Sequence, residues 1–140
     1  MTLFQIEPDV VGEWGDQMDY DAHRTPQLVG PFHYVIDSWA GEDLVTTHPY
    51  FFVTSKLADE IRTAGLSGVE FAPARVSISE QGSLSPEWGE PDLLQLVFVG
   101  DANSDIYLHD RVDLRVSARA MEVFNRFNLG DADVDVVDET

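Results

Sequence analysis

The segment D-x-N-x-D over residues 101–105 places short oxygen-bearing side chains at alternate positions, as calcium-binding loops do at their start. Such side chains can converge on a hard cation. The continuation departs from the motif, because Ile106 stands where glycine is required and Val112 where a bidentate glutamate is required. We therefore interpret the segment as a turn whose Asp and Asn side chains accept hydrogen bonds from the backbone, and we expect no metal site.

The four histidines have no spacing typical of a metal site or a catalytic dyad. His109 is the strongest acid or base candidate because it lies near Asp105 and Asp110, although a surface turn histidine is the favoured interpretation. With no cysteine, thiol catalysis and cysteine-ligated metals are excluded. Nucleophile-elbow, phosphate-loop and zinc-protease motifs are absent too. We predict no catalytic residue and no cofactor; the alternative is a small metal-dependent hydrolase whose carboxylates and histidines come from separate segments.

Two tryptophans lie in similar acidic contexts, Trp14 in GEWGD and Trp88 in PEWGE. An indole can fill a pocket of a partner while neighbouring carboxylates pair with arginine or lysine, so this combination suits a basic partner. The predicted partner-binding residues are Glu13, Trp14, Asp16, Glu87, Trp88 and Glu90. Trp39 in SWAGED has similar neighbours. The alternative for each indole is that it folds back over the core.

The acidic excess of the chain limits its partners. There are 26 acidic and 8 basic residues, for a formal net charge of -18. Nucleic acids and anionic membranes would be repelled, so neither is expected as a partner. A basic protein would be attracted, and its association would be faster at low salt. The alternative is that the charge reflects only solubility or adaptation to a salty host, which the single lysine, Lys56, also fits.

Length and composition predict one domain over residues 1–140. Hydrophobic residues make up 44% of the chain, enough to form a core despite the charge. No stretch is long and apolar enough for a membrane span, and the start of the sequence lacks the features of a secretory signal. We therefore expect a cytoplasmic protein.

Alternating strands and helices would position these residues. Residues 50–54 are almost entirely apolar, which predicts a buried central strand. Ser55 is the predicted N-cap of a helix over about residues 55–64, and Ser117 that of a helix over about 117–127. The predicted fold is a single α/β (α+β) domain with a mixed sheet of about five to seven strands.

Two other apolar segments have the alternation of strands. Residues 69–79 contain Pro73, which predicts an edge, bend or bulge at that point. Near the C-terminus, Val134 and Val136 alternate with aspartates, which predicts a half-buried strand whose aspartates face water. Acidic residues crowd both this last segment and the first one, so the two ends of the chain carry like charge.

The sequence also contains an approximate internal repeat. Residues 52–71 and 114–134 share a strand end, a capping serine, an amphipathic helix, a leucine-glycine turn and an alternating exit. The repeat-like units extend over about residues 50–79 and 112–137, and each would bury one helix face against a sheet. The alternative is that the similarity reflects only a local pattern common to α/β proteins.

The repeat carries a resemblance to a known family. PYFFVTSKLADEIRTAGLSGVEFAPARV (residues 49–76) and SDIYLHDRVDLRVSARAMEVFNRFNLGDADVDVV (residues 104–137) resemble the strand-Ser-helix-Leu-x-Gly-strand pattern of immunity proteins from bacterial polymorphic toxin systems. The residues that match are mainly structural: Ser55, Leu57, Leu66, Gly68 and Phe71, with Ser117 and Leu129. The resemblance implies a non-enzymatic cytoplasmic antidote that binds a cognate toxin domain and blocks its active site. It does not identify the toxin.

Overall fold

Strands dominate the structure, and two helices begin within one residue of their predicted starts, although the second ends three residues before its predicted end. The structure is a computed structural model that describes residues 2–15, 19–20, 28–29, 31–79 and 91–138. In these ranges the helices are α1 (Ser55–Thr63) and α2 (Ala118–Phe124), and neither has the length and apolar character needed to cross a bilayer. The strands in chain order are β1 (Thr2–Glu7), β2 (Asp9–Val10), β3 (Gly12–Trp14), β4 (Asp19–Tyr20), β5 (Leu28–Val29), β6 (Phe32–Ile36), β7 (Leu44–Thr47), β8 (Tyr50–Thr54), β9 (Val69–Ile78), β10 (Leu93–Phe98), β11 (Ile106–His109), β12 (Asp113–Ser117) and β13 (Asp133–Asp138). The predicted α/β (α+β) class is confirmed.

Most of these strands belong to two sheets. The larger sheet has the order β2-β7-β8-β10-β9-β6-β3 and is mixed, because β2 pairs with β7, and β6 with β9, in parallel. It confirms the prediction of a mixed sheet of about five to seven strands. The smaller, antiparallel sheet has the order β11-β12-β1-β13, and β4 pairs with β5 in a separate ribbon. A second sheet was not predicted from the sequence, because it depends on pairing of β1, near the N-terminus, with strands near the C-terminus.

The two repeat-like units have the same strand connections. In the first, hairpin β7-β8 leads into α1 and β9; in the second, hairpin β11-β12 leads into α2 and β13. In each unit one antiparallel strand lies between the strands that flank the helix, β10 in the first and β1 in the second. β10 precedes the second unit in the chain but pairs with strands of the first unit. β1 precedes the first unit but pairs with strands of the second unit. The units are therefore interlocked in a single fold.

The capping residue of α1 differs from the prediction. The hydroxyl of Thr54, not that of Ser55, accepts the hydrogen bond from the Leu57 backbone N–H. Ser55 is the first helical residue, and its hydroxyl donates to the carboxylate of Asp92. In α2 the predicted cap, Ser117, is confirmed. The one-residue error arose because two adjacent hydroxyl side chains can both cap a helix in principle.

An aspartate anchors each cap in the same way. The Thr54 hydroxyl donates to the Asp43 carboxylate at 2.7 Å, and the Thr54 N–H donates to the Asp43 carbonyl at 2.9 Å. Ser117 makes the same two hydrogen bonds to Asp105, both at 2.7 Å. The units therefore share a specific hydrogen-bond arrangement as well as a topology, which favours an internal repeat over a coincidence of local pattern.

Asp105 also links the two units to each other. Its carboxylate accepts hydrogen bonds from the Arg119 guanidinium at 2.6 Å, from the Ser67 N–H at 3.0 Å and from the Ser117 hydroxyl. Arg119 also donates to the two carbonyl oxygens of residues 64–65, just after α1. Burial by itself would raise the pKa of the Asp105 carboxyl, but these hydrogen bonds hold that pKa well below its usual range.

Apolar residues form cores on both faces of the larger sheet. The main core combines both sheets and both helices, with Leu57 from α1 and Phe124 from α2 among its buried side chains. The second core is smaller and lies on the opposite face. β8 contributes to both, with Phe51 and Val53 in the main core and Phe52 in the second. The prediction that β8 is buried on both faces is therefore confirmed.

The larger sheet curls around the second core. Its outermost strands, β2 and β3, are separated in the chain only by Val11, and β3 contacts β7 as well as β6. The Val11 N–H donates to the Tyr34 hydroxyl, which in turn donates to the Thr46 carbonyl at 2.7 Å. Burial raises the pKa of this tyrosine well above its usual range. The two edges of the sheet are thereby brought close to each other.

Pro73 lies where β9 changes its neighbours. Residues 69–73 pair with β10, and residues 74–78 pair with β6. A residue without a backbone N–H is best tolerated where a ladder of hydrogen bonds ends. The strand nevertheless continues from Val69 to Ile78, so the predicted irregularity takes the form of a change of partner.

The corrected cap gives a stability prediction. We expect Thr54→Ala to lower the free energy of unfolding by about 1–2 kcal/mol, because it removes the cap and the hydrogen bond to the buried Asp43. Ser55→Ala is the matched control and should change it by less than about 0.5 kcal/mol. Urea unfolding followed by circular dichroism measures both values. Equal losses would contradict Thr54 as the cap.

Candidate binding surface

Trp14 lies on an edge strand and is partly exposed. Its strand, β3, pairs with β6 at one edge of the larger sheet. The indole is 46% exposed and packs edge-to-face on Phe32 and Tyr50, with ring centroids 5.8 and 5.4 Å away. Glu13, the preceding residue of β3, is also exposed. Part of the indole is therefore fixed by core aromatics, and the rest is exposed to solvent.

Gly12 and Gly15 let the chain around Trp14 lie close against β6. A Cβ on Gly12 would collide with the backbone carbonyl of Val35, and a Cβ on Gly15 would collide with the buried ring of His33. The Gly15 N–H also donates to the His33 carbonyl at 2.8 Å. The GEWG segment thus follows a fixed path on β6, and this path determines how much of the indole is exposed.

The acidic runs from the two ends of the chain meet in the structure. Glu7 in β1 lies directly opposite Asp133 in β13. Next to this pair, the Asp9 carboxylate accepts a hydrogen bond from the Asp131 N–H at 2.9 Å. Asp9 is half-buried, whereas Glu7, Asp131 and Asp133 are exposed, and we call these four residues the acidic junction. Like charges directly opposite each other on neighbouring strands are destabilising, so this acidic junction is unfavourable for the isolated fold.

An exposed apolar side chain adjoins the acidic junction. Val10 follows Asp9 on β2 and is 64% exposed. β2 leads directly into β3, which carries Trp14. Exposed apolar side chains next to carboxylates can contact a partner that is both apolar and basic. We refer to the acidic junction together with Val10, Glu13 and Trp14, which follow Asp9 along β2 and β3, as the candidate binding surface.

The structure describes only part of the predicted site. Glu13 and Trp14 lie on the candidate binding surface, whereas Asp16, Glu87, Trp88 and Glu90 lie outside the described residues. Trp39, the third tryptophan, is only 8% exposed, and its indole N–H donates to the Glu42 carbonyl at 2.8 Å. For Trp39, therefore, the alternative of an indole folded over the core is the correct one.

β13 confirms the predicted strand but corrects the predicted burial. Asp133 and Asp135 face solvent as expected. Val134 and Val136, however, are 42% and 63% exposed, although the alternation predicted a half-buried strand. The reason is that β13 lies at the edge of the smaller sheet. The junction of the acidic ends could not be predicted, because one sequence contains no signal for pairing between such distant segments.

The segment considered as a calcium loop is a turn. The Asp101 carboxylate accepts a hydrogen bond from the Asn103 N–H at 2.9 Å, and Asp105 is bound to Arg119. Among the described residues, no group of three His, Asp or Glu side chains is arranged to hold a metal ion. The Nε2 atom of His109, the acid or base candidate, lies 3.1 Å from the carboxylate of its neighbour in the chain.

Comparisons with known proteins do not assign the chain to a family. No protein-family model matches the sequence, and none of the curated protein sequences matches it.

Proposed function

We propose that this chain is a non-enzymatic binding protein that neutralises a basic protein, a toxin domain, by direct contact in the cytoplasm. The observation that carries the proposal is the acidic junction, in which Glu7 and Asp133 lie opposite each other at a cost in stability. Bound cationic side chains would offset that repulsion. The resemblance of the repeat to immunity proteins supports the role of antidote.

The apolar part of the candidate binding surface supports the same proposal. Trp14 and Val10 are exposed, and Trp14 is held by core aromatic rings, so little conformational entropy is lost when a partner covers it. A rigid indole next to carboxylates can anchor a partner while the charges orient it. The net charge of -18 would also accelerate association with a cationic protein.

A purely solvating role for the charge is the alternative. That role is served best by carboxylates kept apart from one another, whereas Glu7 and Asp133 are directly opposed. It predicts a chain whose stability increases steadily with added salt and that has no stable partner. The two explanations therefore differ in whether a basic protein binds.

Affinity capture followed by a growth assay tests the proposal. We expect the immobilised chain to retain a basic protein from a lysate of the source cells at about 0.05 M salt and to release much of it at about 0.5 M salt, where charges are strongly screened. Expressed alone in a bacterial host, the captured protein should arrest growth, and co-expression of the chain should restore it. The proposal fails if no basic protein is retained, or if the retained protein is harmless.

Neutralising one acid of the junction should separate stability from binding. We expect Asp133→Asn to raise the free energy of unfolding by a few tenths of a kcal/mol, because it removes the repulsion from Glu7, while it weakens capture of the partner. Glu70→Gln is the matched control, since it changes the charge equally at an exposed strand position opposite Val97. Chemical unfolding and a binding titration measure the two effects. A loss of stability in Asp133→Asn would contradict the proposed repulsion.

A further inference from the structure

The outer edge of β13 carries exposed apolar side chains. The strand pairs with β1 on one side, and no described strand pairs with its other side. Val134 and Val136 lie opposite Ile6 and Phe4, which belong to or pack against the main core. The two valines therefore extend the apolar face of the smaller sheet, yet they are 42% and 63% exposed. A strand added to this edge would cover them.

The first unit already uses strand addition at its outer edges. β9, the counterpart of β13, pairs with β6 along residues 74–78, and β7, the counterpart of β11, pairs with β2. β9 is longer than β13, and β6 pairs only with its second half, beyond residues 69–73, which pair with β10 as β13 pairs with β1. Both added strands come from the N-terminal segment of this chain. Within the described ranges, the second unit has no equivalent strand on β13.

Charge determines which strand can be added. Asp133 and Asp135 are exposed on the face of β13 opposite the valines, and Glu7 lies beside Asp133. A second copy of the chain would bring aspartates towards aspartates and another charge of -18, which opposes self-pairing. A strand with alternating apolar and basic side chains would instead place its apolar residues against the valines and its bases against the aspartates.

We infer that the outer edge of β13 binds an alternating apolar and basic strand of the partner through backbone hydrogen bonds. The basic character of that partner rests on the proposed function. The edge position of β13 and the exposure of its valines are observed independently of that function. The binding mode has a specific requirement. The partner segment must present free backbone N–H groups, so positive charge alone is not sufficient.

A synthetic octapeptide of alternating valine and lysine is the probe. Its control is the same peptide N-methylated at alternate residues, which keeps the charge but removes donors needed for strand pairing. We expect the unmethylated peptide to bind the full chain at least about tenfold more tightly by fluorescence anisotropy. It should also slow amide hydrogen exchange within residues 133–138 by at least about tenfold and leave residues 106–109 of β11 unchanged.

A pair of variants tests the valines. Combined Val134→Ser and Val136→Ser should weaken peptide binding about tenfold, because the added strand loses its apolar contacts. The matched control is Val112→Ser, at a valine that is 41% exposed and lies outside any strand, and it should bind like the wild type. Circular dichroism checks that the double variant folds. If it does not, the comparison of the two peptides with the wild-type chain still decides the question.

Several results would overturn the inference: equal binding of both peptides, no protection of residues 133–138, or a wild-type dimer in which those residues are already protected. The test is separable from that of the proposed function. A captured basic protein that leaves exchange in residues 133–138 unchanged would rule out strand addition at β13 and leave the proposed function standing. If the peptide pairs with β13 but no basic protein is captured, strand addition at this edge would be supported and the proposed function would be contradicted.

Discussion

Asp105→Ala is expected to lower the free energy of unfolding by about 3 kcal/mol. The Asp105 side chain is only 15% exposed, so water can replace its partners only in part. The substitution leaves the Ser67 N–H and the Ser117 hydroxyl without their acceptor. Hydrogen bonds to a charged group contribute about 1.5–3 kcal/mol each, and the effects of bonds in one network are not additive. The loss should also loosen the contact between the units, because Arg119 loses its carboxylate.

An exposed ion pair of the same type is the matched control. Asp59 and Arg62 in α1 are 3.1 Å apart, with side chains 75% and 53% exposed. We expect Asp59→Ala to change the free energy of unfolding by less than about 0.5 kcal/mol. Urea unfolding followed by circular dichroism measures both variants. Similar small values for Asp59→Ala and Asp105→Ala would contradict the role assigned to Asp105.

The same carboxylate predicts a dependence of stability on pH. Burial would raise the pKa of Asp105, but its hydrogen bonds with Arg119, Ser67 and Ser117 outweigh burial and lower that pKa in the folded state. In the unfolded chain an aspartate carboxyl titrates near pH 3.9. The contribution of Asp105 to the free energy of unfolding is therefore complete above about pH 5 and is lost as the pH falls towards the folded pKa. The difference in stability between wild type and Asp105→Asn should therefore be constant from about pH 5 to 8 and shrink below about pH 4.

Trp14→Ala is expected to weaken binding of the captured partner about thirtyfold, which corresponds to about 2 kcal/mol. The indole is the large exposed aromatic side chain of the candidate binding surface, and its contacts with Phe32 and Tyr50 fix its orientation before binding. Most of the effect should appear as faster dissociation, since truncating an interface side chain changes the association rate little. Surface plasmon resonance with the purified partner separates the two rates.

Two controls separate binding from folding at Trp14. Trp14→Phe retains a ring that can pack on Phe32 and Tyr50, so it should fold like the wild type and bind with intermediate affinity. Val99→Ala removes part of a side chain that is 58% exposed elsewhere in the chain, and it should leave binding unchanged. Unchanged dissociation of Trp14→Ala would exclude this indole as an anchor.

Local sequence patterns were sufficient to predict the strands and helices of each unit. The apolar run of β8 and the amphipathic stripe of α1 are signals contained within about ten residues, and both were predicted. The cap of α1 was not, because Thr54 and Ser55 are adjacent hydroxyl side chains. The choice between them is made by Asp43, which precedes the whole hairpin and reaches Thr54 only in the folded structure.

Local sequence pattern predicted even less of the candidate binding surface, because that surface depends on contacts formed only in the folded structure. The GEWG context suggested Trp14, but the partial exposure of its indole depends on how closely Gly12 lies against β6. Alternation in β13 showed which residues share a face but not that Val134 lies at a sheet edge, where that face is uncovered. The acidic junction depends on pairing between the first and last described strands, for which local pattern carries no information.

Whether the negative charge serves binding can be decided from the association rate constant with the captured partner, measured by stopped-flow fluorescence as a function of ionic strength. If the acidic surface exists to bind a cationic protein, raising the salt from about 0.02 M to 0.5 M should slow association by about 100-fold. Asp133→Asn should be slower than the wild type at low salt and indistinguishable from it at high salt. A rate constant that does not change with salt, for wild type and variant alike, would contradict the account.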